Sequence, residues 1–260
     1  MVNALPHFVY GPVSSWRLGA SLGVDLLSRE EKICSFDCLY CQLGQTDVHT
    51  TERKVYVPTE ALLEEISALP PELQIDFITF SGRGEPTLAA NLGTAIEAVK
   101  KVRREPVAIL TNASLVDRED VRAEMARTDF VVAKLDASSG ELLRSINRPA
   151  AGITYEAILD GLISFRRQYK GRLALQIMFV DENRDVAPLL ARLARQIGAD
   201  EVQVNTPLRP GGKRPLDRIE IAGVINCFRD LSVRCVYEEP RKDVMPISPA
   251  ETIRRRGKAD

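Results

Sequence analysis

At 260 residues, with 45% hydrophobic and 27% charged side chains, the chain has the composition of a globular protein that buries a core without disulfide or metal staples. A formal net charge of −1 excludes any global electrostatic pull toward nucleic acid or an anionic membrane. No stretch approaches the ~18 consecutive apolar residues of a membrane helix, and residues 1–10 have neither the basic start nor the apolar run of a signal peptide.

The first strand-like run, residues 21–27, stands just before a cysteine cluster. Downstream, short β-branched runs alternate with amphipathic stretches. Thr59 reads as the cap of a helix with the stripe Leu62, Leu63, Ile66 and Leu69, stopped by Pro70 and Pro71. Residues 75–80 form a compact strand that runs into the glycine turn Ser81-Gly82-Arg83-Gly84. Leu92, Ile96, Val99 and Val102 mark the next helix, followed by a strand at 107–110, a helix at 117–127 and a strand at 130–135. A small helix at 141–146 and a longer one at 154–169 precede a strand at 173–180, a helix at 186–197 and a strand at 201–205. Such alternation builds a parallel sheet with right-handed crossovers. About six strand–helix units fall short of the eight of a closed barrel. The expected fold is therefore α/β, a partial (β/α)6 TIM-like barrel. It reads as a single domain, with a core over residues 1–215, the cysteine loop at 29–44 and a short C-terminal extension over 216–260.

Three of the five cysteines, Cys34, Cys38 and Cys41, fall within eight residues. That is a poor disulfide framework and a good metal site in a reducing compartment, so a cytoplasmic protein is expected. On a straight helix Cys34 and Cys41 would lie roughly 10 Å apart along the axis, too far to grip one centre, so the segment must wrap as a loop. Three soft thiolates suit an iron–sulfur cluster or zinc, and leave one metal position open. Zinc would take His49 as its fourth ligand, although zinc modules more often bring two close ligand pairs.

Cys-x3-Cys-x2-Cys with Tyr40 just before the last cysteine resembles the signature of the radical S-adenosylmethionine (SAM) superfamily. The resemblance implies a 4Fe-4S cluster on the three cysteines, with SAM chelating the fourth iron and Tyr40 near the adenine. It also implies reductive cleavage of SAM to methionine and a 5′-deoxyadenosyl radical, and an external electron donor of the flavodoxin or ferredoxin type. Ser81-Gly82-Arg83-Gly84-Glu85-Pro86-Thr87 is similar to the family's Gly-Gly-Glu segment, which grips the SAM ammonium; Gly84 and Glu85 match it and Arg83 interrupts the glycine pair. The glycine would let the backbone approach, and a carboxylate or carbonyl would accept from the cation; a plain left-handed turn is the competing reading.

Other strand ends are polar: Thr111 and Asn112, Lys134 and Asp136, Asn205 and Thr206. The family uses such positions for the ribose, carboxylate and adenine of SAM, while each singly also reads as a helix cap or turn former. Gln176 interrupts an apolar strand and must find a partner or face the barrel lumen. Gly11-Pro12-Val13, Arg17-Leu18-Gly19, Gln42-Leu43-Gly44, Asn147-Arg148-Pro149 and Arg209-Pro210 narrow the likeness, over roughly residues 8–215, to the branch related to the wybutosine tRNA-modification synthase. The second cluster of that synthase has no counterpart, because no cysteine precedes Cys34, and Cys227 and Cys235 read as packing residues. For the substrate, Arg17 beside Trp16 and the loop cations Arg209 and Lys213 are candidate contacts for a phosphate or carboxylate, or solvated charges. The tail Arg254-Arg255-Arg256-Gly257-Lys258 reads as solvated. RNA is a possible substrate that the charge does not encourage, and a non-catalytic electron-transfer or structural metal module is the alternative to an enzyme.

Overall fold

The computed structural model describes residues 8–209 and 212–256. In chain order the elements are β1 (Val9–Ser15), β2 (Gly19–Val24), β3 (Ile33–Cys34), β4 (Val48–His49), α1 (Thr59–Ser67), β5 (Phe77–Phe80), α2 (Leu92–Val102), β6 (Val107–Thr111) and α3 (Glu119–Met125). They continue with β7 (Phe130–Lys134), α4 (Gly140–Ile146), α5 (Tyr155–Gln168), β8 (Arg172–Met178), α6 (Ala187–Ile197), β9 (Glu201–Asn205), α7 (Arg218–Ile225), β10 (Val233–Cys235) and α8 (Pro249–Arg256). The helix starts follow local chemistry. Thr154 caps α5 through the Ala157 N–H, and Asp217 and Glu220 form a capping box on α7. Thr59 is not a cap: Pro58 holds that position, and the Thr59 hydroxyl accepts from Asn91 instead.

Eight strands make one open, curled sheet in the order β1-β2-β5-β6-β7-β8-β9-β10. Every pair from β2 to β10 is parallel, and β1 runs antiparallel along β2. The expected partial barrel is present in a single domain, with an unanticipated strand at each edge. Gly11 and Pro12 interrupt β1, where the pairing slips between Tyr10 and Val13, and this breaks the alternation by which a strand is recognised. The other, β10, has only three residues. The first parallel strand ends at Val24, so Asp25, Leu26 and Leu27 leave the ladder.

The period of two divides the sheet's side chains between two cores. Ile78, Phe80, Ile109, Val131, Leu175 and Val204 face the helices in the main core. Their neighbours Ala108, Phe130, Val132 and Ala174 point into the lumen, where Leu18, from the turn between β1 and β2, packs on them. The sheet edges do not pair. Instead, the Arg234 guanidinium on β10 donates to the carbonyls of Trp16 and Arg17, both at 2.8 Å, across the gap.

The C-terminal residues close over β1. Gly11 N–H donates to the Thr252 hydroxyl at 3.2 Å, and Ile247 N–H to the Gly11 carbonyl at 2.6 Å. The basic tail is solvated only in part: Arg254 is exposed as expected, but Arg255 is 2% exposed and ion-paired with Asp25 at 3.2 Å and with Glu251. Lys258 lies outside the described residues. Cys235 is buried in the main core and Cys227 packs against it, as expected of packing cysteines. Among the described residues no helix is long and apolar enough to cross a membrane.

Candidate active site

The cysteine loop leaves β3, which pairs with β4 beside it. Short polar ties shape it. Lys32 Nζ donates to the Gly44 carbonyl at 2.6 Å, Thr46 N–H to Asp37 at 2.8 Å, and Leu39 N–H to the Ile146 carbonyl at 3.0 Å. The three cysteines thus wrap as a loop and border one cavity of about 330 Å³ at the mouth of the lumen. His49 is exposed, its Nε2 3.1 Å from the Ser35 carbonyl, and it does not line that cavity. Among the described residues no three His, Cys, Asp or Glu side chains gather as ligands of a single ion. Three cysteines bordering one cavity fit a polynuclear cluster, in which each of three irons would take one cysteine thiolate.

The electrostatics agree with that fit. Burial pushes the Cys34 thiol up to about 12, with the Phe36 N–H as the leading opposing influence. Burial also raises Cys38, against Lys134 and an Asn147 hydrogen bond. Bare thiolates are costly here, and a bound metal would supply the missing positive charge. Two amides stand ready for the sulfurs: Asn112 Nδ2 is 3.7 Å from Cys34 Sγ, and Asn147 Nδ2 is 3.5 Å from Cys38 Sγ.

Gly84 and Glu85 line the same cavity, but their roles are more specific than expected. Neither Gly82 nor Gly84 adopts a left-handed conformation, so the simple turn reading fails. A Cβ on Gly84 would sit 1.7 Å from the Ile33 carbonyl oxygen, and one on Gly82 2.1 Å from the Asp25 carboxyl carbon. The glycines let this turn lie directly on the cysteine loop and on Asp25. The Glu85 carboxylate is buried and consumed by the protein. It accepts from Thr87 N–H (3.1 Å) and Oγ1 (2.7 Å), Thr111 Oγ1 (2.6 Å) and Asn112 N–H (2.6 Å). This leaves the backbone of the turn, not the carboxylate, to meet a ligand's cation.

Tyr40, Asn112, Lys134, Gln176 and Asn205 also border the cavity. Gln176 faces the lumen as expected, and its side chain has no partner among the described residues, while Asn205 Oδ1 accepts from Thr206 N–H. Asp136 departs from expectation. Its carboxylate lies behind the wall, accepting from the Tyr40 hydroxyl, Asn147 Nδ2 (2.9 Å) and Met178 N–H (2.7 Å), so it buttresses the site. Lys134 stands 3.6 Å from it and 5.0 Å from the Tyr40 ring centre. Asn183, entirely buried, fastens the same corner through the carbonyls of Asp136 and Met178.

Arg17 and Arg209 reach the cavity, but Lys213 does not: it is ion-paired with Glu182, and Pro210 and Gly211 of its loop lie outside the described residues. Sequence reasoning missed Asn183, Arg241 and the inward turn of Arg255 and Arg256, and for the arginines no local signal exists.

Three cysteines bordering one cavity, set over the lumen of an open α/β barrel, define a half-barrel protein with a cysteine-lined site. The model of the radical SAM superfamily matches residues 32–194. The UPF0026 protein slr1464 of Synechocystis is 41% identical over 81% of this chain and 78% of its own. Among solved structures, SuiB of Streptococcus suis bound to S-adenosylmethionine aligns with a TM-score of 0.62 at 13% identity, over 79% of this chain and 48% of that one. Archaeal TYW1 aligns with a TM-score of 0.56 at 17% identity, over 82% of this chain and 72% of that one. The chain belongs to the radical SAM superfamily.

Proposed function

We propose that Cys34, Cys38 and Cys41 hold a 4Fe-4S cluster at which SAM is reductively cleaved, and that the resulting 5′-deoxyadenosyl radical abstracts hydrogen from a substrate in the lumen. The observation that carries this reading is the convergence of three thiolates, the Gly84–Glu85 turn and the polar lumen groups on one cavity. When bound, the cluster supplies one electron to SAM, drawn from an external donor of the flavodoxin or ferredoxin type. The backbone of the turn receives the SAM ammonium, and Lys134 offers a cation to its carboxylate. Asn112, Gln176 and Asn205 present amides to the ribose and base, and Tyr40 forms an apolar wall. Glu85 and Asp136 keep those groups in register from behind. A reducing, cytoplasmic compartment and an oxidoreductase type of chemistry go with this reading.

The test is anaerobic reconstitution with iron and sulfide, followed by electron paramagnetic resonance of the dithionite-reduced protein with and without SAM. A reduced-cluster signal that changes on adding SAM is expected. Stoichiometric zinc with no iron–sulfur absorption would favour the non-catalytic alternative.

A further inference from the structure

Six cations border the cavity, namely Arg17, Lys134, Arg209, Arg241, Arg255 and Arg256, against the single carboxylate of Glu85. Three of these charges are already accounted for: Arg255 pairs with Asp25 and Glu251, Lys134 stands 3.6 Å from Asp136 and is assigned above to the SAM carboxylate, and Glu85 is held by its four donors. Arg17, Arg209, Arg241 and Arg256 remain, and none has an ion-pair partner among the described residues. They come from separate places: the turn between β1 and β2, the segment after β9, the segment after β10 and the end of α8. Together they occupy the side on which the sheet is open.

This arrangement is unfavourable without a ligand. Among the described residues the buried Arg17 Nε has no hydrogen-bond partner, and Arg209 makes one bond, to the Arg256 carbonyl at 2.7 Å. Burial and the guanidiniums of Arg256, Arg209, Arg241 and Arg234 push Arg17 down to about 9. Burial, Arg256 and Arg241 push Arg209 down to about 10. Four cations gathered at the edge of a low-dielectric space repel one another unless an anion joins them. SAM cannot serve, because it sets a sulfonium and an ammonium against one carboxylate.

We propose that Arg17, Arg209, Arg241 and Arg256 form a phosphate subsite, so that the substrate is a phosphorylated small molecule. In this arrangement the phosphate stays among the guanidiniums at the sheet's open side while the rest of the molecule enters the lumen. A phosphate monoester or diphosphate brings two or more negative charges and several oxygens to one point, where a carboxylate brings one charge. Of the four arginines only Arg241 is exposed. RNA tracking instead uses a solvent-facing basic groove, and the chain as a whole carries a net charge of −1.

The substrate assignment rests on the radical SAM reading; the phosphate subsite itself does not. The experiment is calorimetric titration of the reconstituted, SAM-saturated protein with inorganic pyrophosphate, beside citrate and a short single-stranded RNA. Binding of pyrophosphate at one site is expected, with Arg17→Gln, Arg256→Gln and the exposed, fold-neutral Arg241→Gln each weakening it by about tenfold or more. Three results would each overturn the subsite: no pyrophosphate binding, binding indifferent to all three substitutions, or citrate binding as tightly. RNA binding without pyrophosphate binding would overturn the choice of a small molecule. The titration reads binding and not turnover. Failure to form 5′-deoxyadenosine would therefore count against the enzyme reading alone, and loss of pyrophosphate binding against the subsite alone.

Discussion

Glu85 offers a sharp perturbation, because its carboxylate ties the turn after β5 to the end of β6 through four hydrogen bonds. Glu85→Ala strands the buried backbone N–H groups of Thr87 and Asn112, while the two hydroxyls can rotate toward other acceptors. At about 1–3 kcal/mol for each unsatisfied buried donor, the loss is about 2–6 kcal/mol. Glu85→Gln keeps the shape and one oxygen for the three donors at Oε1. Its amino group then faces the Asn112 N–H, so about 1–3 kcal/mol is lost. Urea unfolding of the cluster-free, reduced protein measures both. With a slope near 3 kcal/mol per molar, the alanine midpoint should fall by about 0.7–2 M and the glutamine midpoint by about 0.3–1 M. Alanine protein within about 0.5 kcal/mol of wild type would refute the bracing role. If SAM affinity vanished in that same stable variant, the carboxylate would be a direct ligand contact instead.

Arg255→Met leaves the Asp25 carboxylate buried without its partner and should cost about 3–5 kcal/mol. Adding Asp25→Asn should recover part of that loss, and strictly additive thermal shifts would contradict a coupled pair. Asn147→Ala removes one amide from Cys38 Sγ, the Tyr40 hydroxyl and Asp136 together. Cluster retention under chelator challenge should drop by about 10–100-fold, and wild-type retention would count against that role. Glu220 is held down to about 2, chiefly by Arg214. A depressed carboxyl contributes stability that is present above the ordinary carboxylate range and is lost as pH falls through about 2. Between about pH 5 and about pH 2 wild-type protein should therefore lose more melting temperature than Glu220→Gln. This exposed pair is worth little and salt should narrow the gap; parallel acid slopes would count against the pairing.

The six strand–helix units were readable because each strand is a dense apolar run and each helix carries a stripe, so local period and burial agree. Polar strand ends could be placed on one rim for the same reason, since parallel strands deliver their C-terminal ends to one side. Gln176 was recognisable as lumen-facing from its apolar neighbours alone. What escaped depends on distant partners. Nothing near Arg255 announces Asp25, 230 positions earlier by their numbers, and a terminal basic run ordinarily stays in water. The charge of Lys213 is taken by Glu182, which comes from another loop and is not signalled by the local sequence. Asp136 and Glu85 have the right residue type at the right strand end, yet the hydrogen bonds that consume them come from other elements.

The cysteine loop is tested most directly by its products. Wild-type protein carrying a full cluster, reduced with dithionite and given SAM under anaerobic conditions, should form 5′-deoxyadenosine and methionine in equal amounts, and Cys38→Ala should form neither. Cluster-loaded wild-type protein that yields neither product would contradict the assignment of Cys34, Cys38 and Cys41 as the site of SAM cleavage.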